Sequence, residues 1–275
     1  MTLRFTILGC GSSPGVPRIN GDWGACDPTN PKNRRLRCSM LVERIGPDGV
    51  TSIVIDTSPD FREQMLAARV SHVDGVLYTH AHADHIHGID DLRGFALVQQ
   101  QRVDTYADAT TLERLKHGFG YCYETPEGSI YPPILNAHEI RAGKIVTIEG
   151  KGGAISALPI LQVHGPITSL AFRFGEGLES LSGGLCYSPD VSDLPAQSLD
   201  YLENLDVWIV DALQYRSHIS HFNVTQSLEW IARLKPSRAI LTHMHTPLDY
   251  GVLKADLPTG VEPAYDGMVI TIGRD

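Results

Sequence analysis

Thr79-His80-Ala81-His82-Ala83-Asp84-His85 stands directly after the short apolar run 75–78. Three imidazoles and a carboxylate crowded at the end of a strand form the donor set that a divalent transition metal prefers. In extended backbone His80 and His82 project to the same side and can grip one ion. If the chain then turns helical, Asp84 and His85 point elsewhere and can reach a second. Burying four such groups with no metal would be costly, so a bland structural role is a poor explanation for them.

A cluster of this kind needs closing ligands from other parts of the chain. His164 follows an apolar stretch at 155–163, Asp190 follows one at 184–188, and His243 follows one at 238–242. Side chains just beyond strand ends emerge from a rigid sheet into a common cleft. A carboxylate can bridge two cations, and Asp190 suits that role. His72, His87, His117 and His138 lack such a setting and read as ordinary surface or core residues. Asp56, ending a strand at 52–56, has two readings: it accepts the second N–H of a ligand histidine, or it is a turn residue ahead of a helix.

Around these positions short strands alternate with helices. Strands are expected at 3–8, 39–43, 52–56, 75–79, 103–106, 155–163, 169–174, 184–188, 206–211, 238–242 and 267–272, with a hairpin turn at Gly46-Pro-Asp-Gly49. Helices are expected after Pro59, with Phe61, Met65 and Leu66 on one face, and at 108–117, 195–204 and 223–235. No repeat or linker divides the 275 residues, so one domain over 1–275 is expected, with two sheets and helices outside them.

Composition narrows the function. With 32 acidic against 23 basic residues the net charge is −9, unsuited to broad binding of duplex nucleic acid. No apolar run approaches the roughly 18 residues of a membrane span. The opening residues have too short an apolar core for a signal peptide. Five cysteines, with no Cys-x-x-Cys pair, argue for a reducing compartment, and the cytoplasm is the expectation.

His80-x-His82-x-Asp84-His85 with later His, Asp and His at strand ends resembles the metallo-β-lactamase superfamily. That resemblance implies an α+β fold, a four-layer αβ/βα sandwich with a dinuclear site at one edge. The opening Gly9-Cys-Gly-Ser-Ser-Pro-Gly-Val-Pro17, the extension His87-Gly-Ile-Asp-Asp-Leu-Arg93 and Leu241-Thr-His-Met244 further resemble the cyclic phosphodiesterases of phosphonate degradation (the PhnP family) and, more distantly, RNase Z. The resemblance implies that His80, His82 and His164 hold one metal, that Asp84, His85 and His243 hold the other, and that Asp190 bridges. It also implies that a histidine on a later loop acts as general acid at the scissile phosphate. His221 matches best, with His218 as its neighbour and competitor. Asp84 could orient the attacking water as well as bind metal. Mn or Zn is the expected metal pair, with Fe or Ni also compatible with these ligands.

Some phosphonate-pathway members carry an extra structural zinc on clustered cysteines. Here Cys26, Cys38 and a displaced His245 are one ligand short of a closed site, and two free thiols are the simpler reading. Lys32-Asn-Arg-Arg-Leu-Arg37 is either a solvated basic face or a loop in which Arg34 or Arg35 clamps a phosphate. The glycine loop at 9–15 lacks the ending of a nucleotide-triphosphate loop, and no segment looks like a long arm for tRNA. The expected enzyme is a dinuclear phosphodiesterase for cyclic or small nucleotide-like diesters, with no membrane partner and with a homodimer left open. A thioester or lactone hydrolase using the same metals is the enzymatic alternative. A non-catalytic metal or ligand carrier is the other.

Overall fold

In β1 (Leu3–Gly9) of the computed structural model, which describes residues 2–273, Leu3, Phe5 and Ile7 face one buried layer and Leu8 another. The same alternation recurs in β2 (Ser39–Gly46), where Met40 and Val42 oppose Leu41, and in β3 (Gly49–Ile55), where Ile53 and Ile55 oppose Val54. A strand with both faces apolar must be covered on both sides. The first sheet adds β4 (Gly75–Leu77), β5 (Val103–Ala107) and β6 (Leu135–Glu139). The second contains β7 (Val146–Ile148), β8 (Ile155–His164), β9 (Ile167–Phe174), β10 (Leu185–Ser188), β11 (Val207–Asp211), β12 (Arg238–Thr242) and β13 (Val261–Pro263). The last strand, β14 (Val269–Ile272), returns to pair with β1. The orders are β14-β1-β2-β3-β4-β5-β6 and β13-β12-β11-β10-β9-β8-β7.

Phe5, Val42 and Ile55 of the first sheet share one core with Ile160, Phe172, Trp208 and Ile240 of the second. The outer face of the first sheet is covered by α1 (Phe61–Ala68), α3 (Leu92–Gln99) and α4 (Ala109–Tyr123), through Phe61, Met65, Leu92, Leu112 and Leu115. Between these lies the short α2 (Ala83–Ile86). The second sheet carries α5 (Ala196–Leu199), α6 (Val224–Leu234) and α7 (Tyr250–Asp256). α6 starts at a capping box in which Asn223 accepts from Gln226 N–H and the Gln226 side chain accepts from Asn223 N–H. The result is the expected α+β sandwich of two mixed sheets flanked by helices.

Most expected elements stand within a residue or two of their positions. Leu66 is a correction: it is 59% exposed, because the buried stripe of α1 runs through Phe61, Gln64 and Met65. The helix expected at 195–204 is one α turn followed by a 3-10 turn at Asp200–Leu202. α3, α7, β6, β7 and β13 were not expected from the sequence. β6, β7 and β13 are edge strands, short or half-exposed, where apolar periodicity is weak. Among the described residues no helix is long and apolar enough to cross a membrane, and all five cysteines are free and buried.

Strand direction positions the site. β10, β11 and β12 are mutually parallel, and β8 runs the same way because β9 is antiparallel to both β8 and β10. Residues just past the ends of these strands therefore emerge at one edge.

Candidate metal centre

After β4 the chain bends at Thr79 and reaches His82, itself extended at φ −71° and ψ 152°, before α2 turns it. This break separates the donors as the sequence suggested. One nitrogen each from His80, His82 and His164 lie within 4.8 Å of one another, as do donor atoms of Asp84, His85 and His243. α2 is pinned from below, since Thr57 N–H donates to His85 O and Gly88 N–H donates to Thr57 O. A Cβ at Gly88 would collide with the Ser58 carbonyl, so only glycine allows this approach.

Asp190 sits between the two groups. Its Oδ1 is 3.4 Å from His243 Nε2, 3.7 Å from His164 Nε2 and 4.0 Å from His80 Nε2, while Oδ2 is 3.1 Å from His85 Nε2. Burial alone would raise the Asp190 carboxyl, but His243 and His85 hold it well below the usual carboxylate range. Asp84 is likewise pulled down by His85 and His243 against its burial. Burial pushes the His80 imidazole well below its ordinary value and takes His164 down to about 4. These two imidazoles are thus held neutral, the form that binds metal, whereas the carboxylates of Asp190, Asp84 and Asp56 raise His85 well above its ordinary value against its burial.

The surrounding bonds decide which ring nitrogen is free. His164 Nδ1 donates to the Ser220 carbonyl at 2.6 Å, so Nε2 keeps its lone pair. His85 Nδ1 is 2.7 Å from Asp56 Oδ2, and Asp56 also accepts from Thr79 N–H and Thr79 Oγ1, each at 2.8 Å. Asp56 holds φ 62°, a left-handed conformation that aspartate tolerates better than most residues. Its ligand-orienting reading is therefore the one the structure supports. His80 Nε2, His85 Nε2, both nitrogens of His243 and Asp190 Oδ2 are buried with no hydrogen-bond partner. Orphaned lone pairs converging from separate strand ends fit a pair of divalent cations, and little else would offset their desolvation.

His221 stands beside this group. Its Nδ1 is 2.7 Å from Asp211 Oδ2 and 3.9 Å from Asp190 Oδ1, and its ring stacks on His243 with centroids 4.6 Å apart. His218 lies on the outer side, 5.2 Å from the His221 ring. Asp211 was missed by the sequence reading. It is fully buried at the end of β11, accepts from Val191 N–H at 3.1 Å, and burial raises its carboxyl well above the usual range. The signal was present, because Asp211 ends the apolar run Val-Trp-Ile-Val as His164 ends its own. Ser13 was missed too; its hydroxyl donates to Asp84 Oδ2 at 2.8 Å.

The basic loop is corrected. Arg35 is not a phosphate clamp: it is buried, and its guanidinium donates to the Leu248 carbonyl at 2.6 Å and to Asn33 Oδ1 at 3.3 Å. Lys32 lies over the Tyr265 ring at 4.1 Å and Arg37 pairs with Asp60 at 2.9 Å. Arg34 alone of the four is exposed, beside the 3-10 turn Pro31–Asn33. Nor do Cys26, Cys38 and His245 converge. Cys26 Sγ donates to the Thr246 and Leu248 carbonyls, Cys38 Sγ lies 3.8 Å from Thr242 Oγ1, and His245 is bound by Ser12 and Arg18. No candidate metal group among the described residues includes a cysteine, or His72, His87, His117 or His138.

Residues 51–244 match the family model described as the beta-lactamase superfamily domain. The chain belongs to the metallo-β-lactamase superfamily. A crystal structure of a diphosphatase from the PhnP family superposes on this superfamily member with a TM-score of 0.84 at 32% identity, covering 99% of this chain and 98% of that one. The short form of human tRNase Z shares the fold, with a TM-score of 0.63 at 16% identity over 97% of this chain and 98% of its own. Among curated sequences, an octanoyltransferase of Porphyromonas gingivalis is 28% identical over 271 residues, 97% of this chain but 51% of that protein. The chain thus spans about half the length of that relative.

Proposed function

We propose that this metallo-β-lactamase-fold hydrolase cleaves small, nucleotide-like phosphodiesters. The observation that carries the reading is His221, tied to the buried Asp211 and set 3.9 Å from Asp190, directly beside the converging ligand atoms. His80, His82 and His164 would hold one divalent cation, Asp84, His85 and His243 a second, and Asp190 would contact both. Bound cations would supply Lewis acidity, neutralising phosphoryl charge and making water a nucleophile near neutral pH.

The chain's own residues do the rest. Asp56, the Ser220 carbonyl and Ser13 fix the orientation of His85, His164 and Asp84. Asp211 engages Nδ1 of His221, so Nε2 is the ring nitrogen left to hand a proton to the departing alkoxide. The net charge of −9 favours a small substrate over duplex nucleic acid. Likeness over nearly the full chain to a PhnP-family diphosphatase supports chemistry at phosphorus.

A second reading, hydrolysis of an acyl thioester or lactone, draws on the similarity to half of an octanoyltransferase. One experiment separates the two. Initial rates on adenosine 2′,3′-cyclic monophosphate, whose leaving group is an alkoxide, are compared for Mn-loaded wild type and His221→Ala, alongside octanoyl thioester hydrolysis. Loss of ~10²-fold or more in diester cleavage is expected, because a general acid contributes about that much. A wild type that turns over only the thioester, with His221→Ala equally active, overturns the diesterase reading.

A further inference from the structure

Arg18, bound to a histidine two residues beyond the candidate ligand His243, is a cation that the proposed chemistry leaves unused. Its guanidinium donates to Asp22 Oδ2 at 3.0 Å and to His245 Nε2 at 2.7 Å. A guanidinium can only donate, so His245 Nε2 must accept and the ring hydrogen sits on Nδ1. That nitrogen lies 2.9 Å from Ser12 Oγ and donates to it. Ser12, buried at 2% exposure, therefore keeps its own hydroxyl hydrogen for another acceptor.

This relay abuts the ligand cluster. The next residue, Ser13, donates to Asp84, and neighbouring Cα atoms are about 3.8 Å apart. His245 stands two residues beyond His243, and Ser12 N–H donates to the carbonyl of the intervening Met244. The turn that presents Arg18 is closed on itself, with Arg18 N–H donating to Asp22 O and Gly21 N–H to Arg18 O. The Arg18 side chain is 41% exposed, and an ion pair at such a position adds little to stability. Asp22 and His245 thus orient the guanidinium without using up its donors.

We propose that Arg18, with Ser12, binds a second, non-scissile phosphoryl group, so that the substrates this site prefers carry two adjacent phosphoryl groups, as in nucleoside diphosphate esters. The planar fork of arginine matches phosphate oxygens in pairs. This rests on the phosphohydrolase reading above. In the reaction one water is consumed and the bridging P–O bond breaks. One product monoester takes the hydroxyl, the other keeps the bridging oxygen and gains the proton.

The test uses ADP-ribose, which has two phosphoryl groups, and the p-nitrophenyl ester of thymidine 5′-monophosphate, which has one. For Arg18→Ala the ratio of kcat/KM on the first to kcat/KM on the second should fall 10-fold or more, with Arg18→Lys between. Binding is read independently by calorimetry on metal-loaded protein. The non-hydrolysable adenosine 5′-(α,β-methylene)diphosphate should bind wild type at least 10-fold more tightly than AMP, and Arg18→Ala should erase most of that gap. A folded Arg18→Ala that keeps both the ratio and the gap, or loses equally on both substrates, overturns the proposal. Should wild type cleave neither phosphate, the phosphohydrolase reading fails. The calorimetric gap and its loss in Arg18→Ala would then still support the anion subsite, and its absence would overturn it.

Discussion

Asp190 and Arg173 are both buried charges of the second sheet, one just past β10 and the other on its neighbour β9. Their polar atoms are treated in opposite ways. The Arg173 guanidinium donates to the carbonyls of Tyr201, Glu203 and Gly183 at 2.8, 3.1 and 2.7 Å, leaving only Nε without a partner. It stitches the 3-10 turn at Asp200–Leu202 to the hairpin after β9. Asp190 is ringed by imidazoles, and its Oδ2 makes no hydrogen bond. A buried charge that serves the fold is saturated by backbone. One that serves chemistry keeps its lone pairs open, and only a ligand can repair the loss of solvation.

Substitution at each position sharpens that contrast. Asp190→Asn should abolish most diester turnover, by ~10³-fold or more, since it removes the carboxylate shared by both ligand groups. Metal added at about 100-fold over Kd should raise the wild-type Tm by about 5–10 °C, from about 2.7 kcal/mol of linkage in a chain this long. Asp190→Asn should lose most of that rise; if calorimetry shows the full rise retained, Asp190 is not a ligand. Arg173→Met should do the reverse. It strands three carbonyls and should cost about 3 kcal/mol in urea unfolding, while the folded fraction keeps its turnover. A loss of turnover with unaltered stability would break the comparison.

Asp266 should give the smallest effect. It accepts from Cys10 N–H at 3.0 Å and Leu36 N–H at 2.7 Å, and desolvation pushes its carboxyl up to about 7. A carboxyl raised in the folded state favours the neutral form. Its contribution to stability is then greatest at low pH, declines as pH rises from the usual carboxylate range to about 7, and is flat above that. Wild type should accordingly lose Tm relative to Asp266→Asn between pH 5 and 7 and run parallel to it above pH 8. Parallel curves throughout would mean that the two backbone donors hold the carboxylate ionised.

Much of the site could be read from residues in a row. His80 to His85 carries both halves of the ligand set, because a strand followed by one helical turn aims neighbours in two directions. His164, Asp190 and His243 were legible as polar residues ending apolar runs. Asp211 carried the same mark and was passed over. Arg35 misled because a run of cations looks solvated on paper, and nothing local told that the Leu248 carbonyl would fold over it. Arg18 was silent for the same reason, its partner His245 lying 227 residues away.

The sequence by itself pointed to the α+β sandwich, through short apolar strand runs interleaved with helices and through motifs that resemble the superfamily, and to the first strand-end cluster, through the spacing of its histidines and aspartate. Only the tertiary structure decided which lone pairs stay open and which cations are taken up by backbone. That outcome depends on bonds between residues far apart in the chain, such as Ser220 with His164 and Asp56 with His85, and no local pattern of side chains encodes them.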